Sequence, residues 1–574
     1  MLTHIRSVAL GRKPADLLLQ NGRVVDVLTE TIYEADVALA DGRIAAVLPA
    51  GTPCEAAEII DLAGAYVAPG LINAHCHVES SMAAPESYCA EELRWGVTTL
   101  ITDPHEIANV AGAEGIRYML RAGRQMPLNY YVELPSCVPA TPWEHAGCVM
   151  EAAAIAELLE EPGVLGLGEM MNVPGVLHND AEVLAKLRLF LKAGRIVDGH
   201  APLLTGRELQ AYAASGISTD HEVVSWEEAK EKLRAGLAVL VREGSASKNL
   251  RAILQGAVSE GIATRNFAFC TDDKHLADIR REGTIRHCVR QAVALGLPPA
   301  KALAIASINA AQIYGLRRLG AIAPGWQADI VVFKNLQDFE PLRVFHQGRD
   351  AWAVCAEIKP VTPPAVLRGS VRPAPFSAAD FSLSKFLPDK EYPVIKMLPD
   401  NICTERGSIQ GCEIASALAA GKLHLIAVLE RHHGTGHLGL GLLQGYGLSD
   451  GAAATTVAHD SHNLIVAGTD PDAMAIAAQE LVRVQGGYTL VQNGKVAGTV
   501  PLNICGLMSS ADTENLIKSL ENIAALAHAQ GVPKNIDPFV SLSFMALPVI
   551  PRLRITDMGL FDVDKFQFVE GMGA

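Results

Sequence analysis

Residues 68–82 read APGLINAHCHVESSM, an apolar run broken by Pro69-Gly70 and closed by two histidines one residue apart. Side chains two apart on a strand share a face. His75 and His77, at the end of such a strand, can therefore bind one metal ion while Cys76 points the other way. Taken alone, an H-x-H pair is weak evidence and fits two partly buried structural histidines better than a site. Its weight comes from the rest of the chain, where acids and histidines recur at the ends of later strands.

Working outward, the rhythm is strand, turn, helix. The candidate strands are Tyr66–His77, Thr98–His105, Tyr130–Val138, Val164–Met170, Ile196–His200, Ser218–Val223, Ala238–Arg242 and Phe267–Asp272, with helical stretches such as Ala181–Ala193 and Trp226–Ala235 between them. Parallel strands need crossovers of this kind. Eight such units over roughly 245 residues match the about 250 of a (β/α)8 barrel, whose active groups stand at the C-terminal strand ends. The polar residues fall there: His75 and His77 on the first strand, Asp103 and His105 on the second, Glu169 on the fourth. His200 ends the fifth, Asp220 and His221 the sixth, and Asp272 and Asp273 the eighth.

Short alternating stretches flank the barrel. Asp16–Asp26 and Ala35–Val47 carry Asn-Gly and Asp-Gly at expected bends, and the pattern returns at Gly320–Gly348. These are hairpin signals. They predict a small β-sandwich split across the sequence, its halves at 1–65 and 319–358, with the barrel at 66–318 inserted between them. Lys359–Phe376, proline-bearing and polar, reads as a linker. The region 377–574 alternates strands and helices, as a separate α/β domain would. Within it Gly434–Gly439 matches G-x-G-x-x-G, but the glycines that follow do not read as a helix, so a packed turn is expected rather than a nucleotide site. His432, His433, His437, His459 and His462 offer donors for an additional metal site, at spacings that match no firm template.

A net charge of −15 argues against a nucleic-acid surface. No apolar run approaches the roughly 18 residues that span a bilayer, and the first residues lack a signal peptide's apolar core. A cytoplasmic protein is expected, with its eleven scattered cysteines reduced.

Six motifs, HCHVESS, TDPHEIANV, GLGEMMN, DGHAP, TDHE and CTDDKH, occur in order. With the NG...DGRI and PGLI-x-x-H-x-H patterns, the chain resembles the amidohydrolase superfamily and, within it, the adenine deaminases, over most of its length. The resemblance implies His75, His77, Glu169, His200, His221 and Asp272 as ligands of two divalent ions, Mn²⁺ or Fe²⁺ ahead of Zn²⁺. Mixed imidazole and carboxylate donors suit all three metals. Glu169 stands where many relatives carry a carboxylated lysine, and Asn73 where many carry Asp.

The implied reaction is attack of a metal-bridged hydroxide on C6 of adenine, with Asp272 moving the proton to the leaving amine and hypoxanthine and ammonia as products. The ring nitrogen must be protonated as C6 becomes tetrahedral, so a second acid is required. Its candidates are Asp103, His105 and Glu106, then Glu79 and Ser80; Glu106 also fits a helix cap and His105 an outer hydrogen-bond partner. Asp273 is expected to support its neighbour. The alternatives are a hydrolase of cyclic amides from the same superfamily and a non-catalytic scaffold. Deaminases of the P-C-x-x-C zinc class are excluded, because that motif is absent. A homodimer acting on a small molecule, with neither nucleic acid nor membrane as partner, completes the expectation.

Overall fold

The computed structural model describes residues 2–399 and 401–573. Eight parallel strands line the central domain: β1 (Leu71–Cys76), β2 (Val97–Thr102), β3 (Asn129–Leu134), β4 (Val164–Met170), β5 (Ile196–Gly199), β6 (Thr219–Asp220), β7 (Ala238–Arg242) and β8 (Phe267–Cys270). The first five form one sheet and the last three another. Backbone bonds join the two arcs, from Ser218 to the Val197 carbonyl (2.9 Å) on one side and from Asp272 to the His75 carbonyl (3.1 Å) on the other. A TIM-like α/β domain results.

Every residue of β1 and β2 is buried, as expected of parallel strands covered on both faces. Ile72, Ile101, Leu240 and Ala268 fill the interior, and burying each larger side chain contributes about 1.5–3 kcal/mol. Some of the helices outside the strands start at side-chain caps. Asp180 accepts from the backbone of Glu182 and Val183, and Ser225 from that of Glu228.

Several strands are shorter than expected, for local reasons. Tyr66–His77 divides at Gly70, where an added Cβ would lie 1.9 Å from Thr98 Oγ1; the piece Tyr66–Pro69 leaves the barrel for the flanking sheet. β2 stops before Pro104 and β3 before Pro135, residues that cannot donate to the ladder. β6 ends at Asp220, whose side chain turns the chain by accepting from Glu222 N at 2.8 Å.

The flanking strands form one continuous eight-stranded sheet. Ile330–Phe333 pairs antiparallel with Tyr66–Pro69, which pairs in turn with Ala15–Asp26. Segments distant in sequence thus meet in one ladder. The Asn21-Gly22 pair is no bend: Asn21 has φ 58° and marks a bulge inside the strand Ala15–Asp26. Asp41-Gly42 does turn a hairpin, as does Asn493-Gly494.

Beyond residue 376 an eight-stranded sheet runs from Glu391–Met397 to Lys495–Pro501, followed by a three-stranded sheet from Leu553–Thr556 onward. The glycine-rich stretch is the strand Leu438–Gln444, with no helix after it, and a Cβ at Gly439 would lie 2.1 Å from the Thr556 carbonyl. Close packing accounts for its glycines. The expected linker is docked: Leu367 is buried and its carbonyl accepts from Cys505 N. The loop after β3 clasps this region, with Trp143 stacked on Phe561 at 5.8 Å and the His145 carbonyl accepting from Asn463 Nδ2 at 2.8 Å. Among the described residues, no helix is long and apolar enough to cross a membrane.

Candidate metal centre

The six expected ligands meet at the C-terminal mouth of the barrel. His75 Nε2 lies 3.3 Å from His77 Nε2, and His77 Nε2 lies 3.0 Å from Asp272 Oδ1. Across the site, His200 Nδ1 and His221 Nε2 lie 2.8 and 3.0 Å from Glu169 Oε2. Glu169 Oε1 faces the other way, 3.6 Å from His77 Nε2. One carboxylate therefore presents one oxygen to each of two histidine pairs, the arrangement of a bridging ligand.

The donor set fits divalent ions. His75, His77 and Glu169 form one group of donor atoms within 4.8 Å of one another, Glu169, His200 and His221 a second, and His75, His221 and Asp272 a third. His221 Nε2, fully buried, has no hydrogen-bond partner among the described residues. His77 Nδ1 pairs with the Asp103 carbonyl at 2.8 Å, which puts the ring proton on Nδ1 and frees Nε2 for an ion. Burial opposes charge on Glu169, but His200 and His221 outweigh it and hold the carboxyl well below its usual range. Asp272 is likewise held low, because Arg242 and His77 overcome the cost of burial.

Asp272 has φ 55°. That left-handed conformation is uncommon outside glycine, and Asp tolerates it better than most. The backbone bond to the His75 carbonyl holds the turn and aims the carboxylate into the centre.

The remaining candidates divide. Ser80 Oγ lies 2.8 Å from Glu106 Oε1 and in a short contact with Asp273 Oδ1. One hydroxyl has one proton to donate, and two carboxylate oxygens face it, from Glu106 and from Asp273. Burial, with Glu79 and Asp273 adding to it, raises the Glu106 carboxyl well above its usual range. Its Oε2 is buried and without a hydrogen-bond partner among the described residues. Glu79, pushed up to about 7 by burial, accepts from Ile107 N at 3.1 Å; the helix cap offered to Glu106 belongs to Glu79.

Asp103 turns away from the mouth. It is fully buried, and its Oδ2 accepts from Glu169 N at 3.0 Å. Burial and the nearby Glu169 raise it to about 8, and one of its oxygens holds the backbone of Glu169 in place. His105 Nδ1 lies 3.3 Å from Glu169 Oε1, and burial with the nearby His77 lowers its pKa to about 3. A neutral imidazole is held beside the bridge. Asn73 ties β1 to the end of β8, giving a hydrogen bond to Thr271 Oγ1 (2.8 Å) and accepting one from Thr271 N (3.2 Å).

Sequence reading missed Arg242 and Asp198. Arg242 Nη1 lies 2.7 Å from Asp272 Oδ2 and also pairs with Glu222; the signal was an arginine ending the apolar strand AVLVR. Asp198, one residue before Gly199 in DGHAP, places Oδ2 3.7 Å from His75 Nδ1 and accepts from Tyr314 Oη and Thr219 Oγ1.

The C-terminal histidines do not form one site. His432 and His433 pair with the carbonyls of Ser461 and Ala146, and His437 lies beside His145. His459 and His462 approach a third donor, Glu106. His462 Nδ1 accepts from Ala458 N at 3.2 Å, which leaves its proton on Nε2, 3.8 Å from Glu106 Oε2 and beyond hydrogen-bond reach. That tautomer argues against a metal there.

Residues 66–350 match the family model described as "Amidohydrolase family", and residues 405–567 the one described as "Adenine deaminase C-terminal domain". A protein of Desulfitobacterium hafniense (strain Y51) named adenine deaminase is 42% identical, covering 99% of this chain and 98% of its own. One of Nitratidesulfovibrio vulgaris (strain DP4), of the same name, is 44% identical over the same shares. Among solved structures, an enamidase described as a member of the amidohydrolase superfamily aligns with a TM-score of 0.44 and 18% identity, over 60% of this chain and 97% of its own.

Proposed function

The chain belongs to the adenine deaminase family within the amidohydrolases, and from that premise we propose that the buried histidine and carboxylate cluster is where it hydrolyses adenine to hypoxanthine and ammonia. The family is metal-dependent, and the position of Glu169 between two histidine pairs carries the reading of two ions per chain. His75, His77 and Asp272 would hold one ion, His200 and His221 the other, and Glu169 would span them. The family resemblance supports Mn²⁺ or Fe²⁺, and also supports 66–318 as the catalytic barrel and 377–574 as a second domain.

Ions bound there polarise the reacting centre and bring the pKa of a bound water toward neutrality. The chain does the rest. Asp272, anchored through Oδ2 by Arg242, takes the attacking proton on Oδ1 and returns it to the departing amine. A proton held by the buried Glu106 carboxyl is delivered to the purine ring nitrogen, so that negative charge does not build up on the ring. Burial of Glu106 and its unpartnered Oε2 support this assignment. Water supplies oxygen to C6 and two protons, and ammonia leaves with the C6 nitrogen.

Specificity tests the reading. The family resemblance favours a free base over one carrying ribose, and Met82, Val457 and Val540 give apolar walls to the pocket beside Ser80 and Asp273. Ammonia release from adenine should be rapid and from adenosine poor. Comparable turnover of the two, measured with the same metal-loaded enzyme, contradicts the proposed pocket.

A further inference from the structure

The pocket that opens beside Ser80 and Asp273 is only half built by the barrel. Its other wall comes from the C-terminal domain: Val457, His459, Tyr488, Val540, Ser543 and Phe544. His459 and Phe544 lie face to face, with ring centroids 5.1 Å apart and planes 23° from parallel. His459 is anchored by its backbone N–H to Ser543 Oγ at 3.2 Å. Tyr488, on the strand Gly487–Gln492, is held flat against Phe539 at 4.4 Å. Its hydroxyl is buried and has no hydrogen-bond partner among the described residues, though the side chain lines the pocket.

Buried hydroxyls normally have partners. A tyrosine clamped by a neighbouring ring, with its hydroxyl unsatisfied in a cavity, is arranged for a partner that arrives from outside. Glu106 Oε2 and His462 Nε2 are two more buried and unpartnered atoms, 3.8 Å from each other. Flat rings among apolar side chains, with unpartnered polar atoms in the pocket wall and close behind it, match a planar heteroaromatic base. They do not suit an extended or charged chain.

We propose that the C-terminal domain forms the half of the purine site remote from the metals, with Tyr488 Oη bonded to a ring nitrogen and the His459–Phe544 pair as the surface against which the base packs. This rests on the assignment of adenine as substrate. It makes the domain part of the substrate site, and it assigns the unpartnered hydroxyl a task.

The test is Tyr488→Phe in the full-length, metal-loaded enzyme, with adenine kinetics, metal content and thermal melting measured together. Losing a buried hydrogen bond to substrate should raise KM by about 10-fold or more. Metal content should match the parent, and Tm should hold or rise, because the hydroxyl removed satisfies nothing in the free protein. A KM within about twofold of the parent overturns the proposal. If Tyr488→Phe fails to fold, Phe544→Leu carries the same test: stacking lost from the base should raise KM by about 5-fold or more, and an unchanged KM again overturns it. A parent enzyme that releases no ammonia from adenine would instead refute the substrate assignment itself.

Discussion

Asp272→Asn is expected to lower adenine turnover by about 10²–10⁴, the range associated with loss of a general acid–base group, while metal content falls much less. The substitution isolates proton transfer. Asn is nearly the same size, tolerates the left-handed backbone at φ 55°, and offers one oxygen to an ion or to Arg242, whose Nη1 lies 2.7 Å from Asp272 Oδ2 in the parent. It cannot carry the attacking proton. Rapid-quench turnover and metal analysis on the same preparation separate the two effects. A variant that loses its ions and regains full rate with added Mn²⁺ would make Asp272 only a ligand, and the shuttle would then lie among His105, Glu106 and Asp273.

Glu169→Gln should act in the opposite way. The parent carboxylate presents Oε1 to His77 and Oε2 to His200 and His221. An amide keeps one oxygen and turns an NH2 donor toward the other histidine pair, so one of the two ions loses its shared ligand. Affinity for that ion should fall by at least the roughly 10- to 100-fold that changes outside the ligand shell already cost. Activity should fall with it and return in part with excess metal. Retention of both ions after gel filtration, with activity lost and not restored by metal, would place Glu169 in the chemistry and not in the bridge.

The ligand set was legible because barrel topology reduces a three-dimensional question to a one-dimensional one. A histidine or acid at a strand's C-terminal end points at the common mouth, which singled out the strand-end histidines and acids before any contact was known; the family resemblance then narrowed them to His75, His77, Glu169, His200, His221 and Asp272 as the expected ligands. What the sequence hides is which oxygen faces which partner. Asp103 carries the same signal as Asp272, yet its carboxylate accepts from Glu169 N, in a space kept open because residue 168 is glycine; a Cβ there would lie 2.0 Å from Asp103 Oδ2. Arg242 ends a strand as Asp272 nearly does, but a lone arginine has no spacing to declare its partner.

Long-range assembly was the other blind spot. Tyr66–Pro69 runs straight into β1 in sequence, and only its pairing with Ile330–Phe333 removes it from the barrel. The approach of His459 and His462 to Glu106 depends on how two domains dock. No local pattern around residues 457–462 encodes that. Glu106 reads as a helix cap because it opens the helix His105–Gly123, yet the bond from Ile107 N goes to Glu79, which is distant in the sequence.

The most direct test of the account is stepwise reconstitution: metal-free protein is titrated with Mn²⁺ or Fe²⁺ while bound metal and ammonia release from adenine are measured on the same samples. The account predicts that activity climbs to its plateau as the second ion per chain binds and is abolished again by chelation. Full activity at one ion per chain would contradict it, leaving the Glu169 bridge without a second ion to hold.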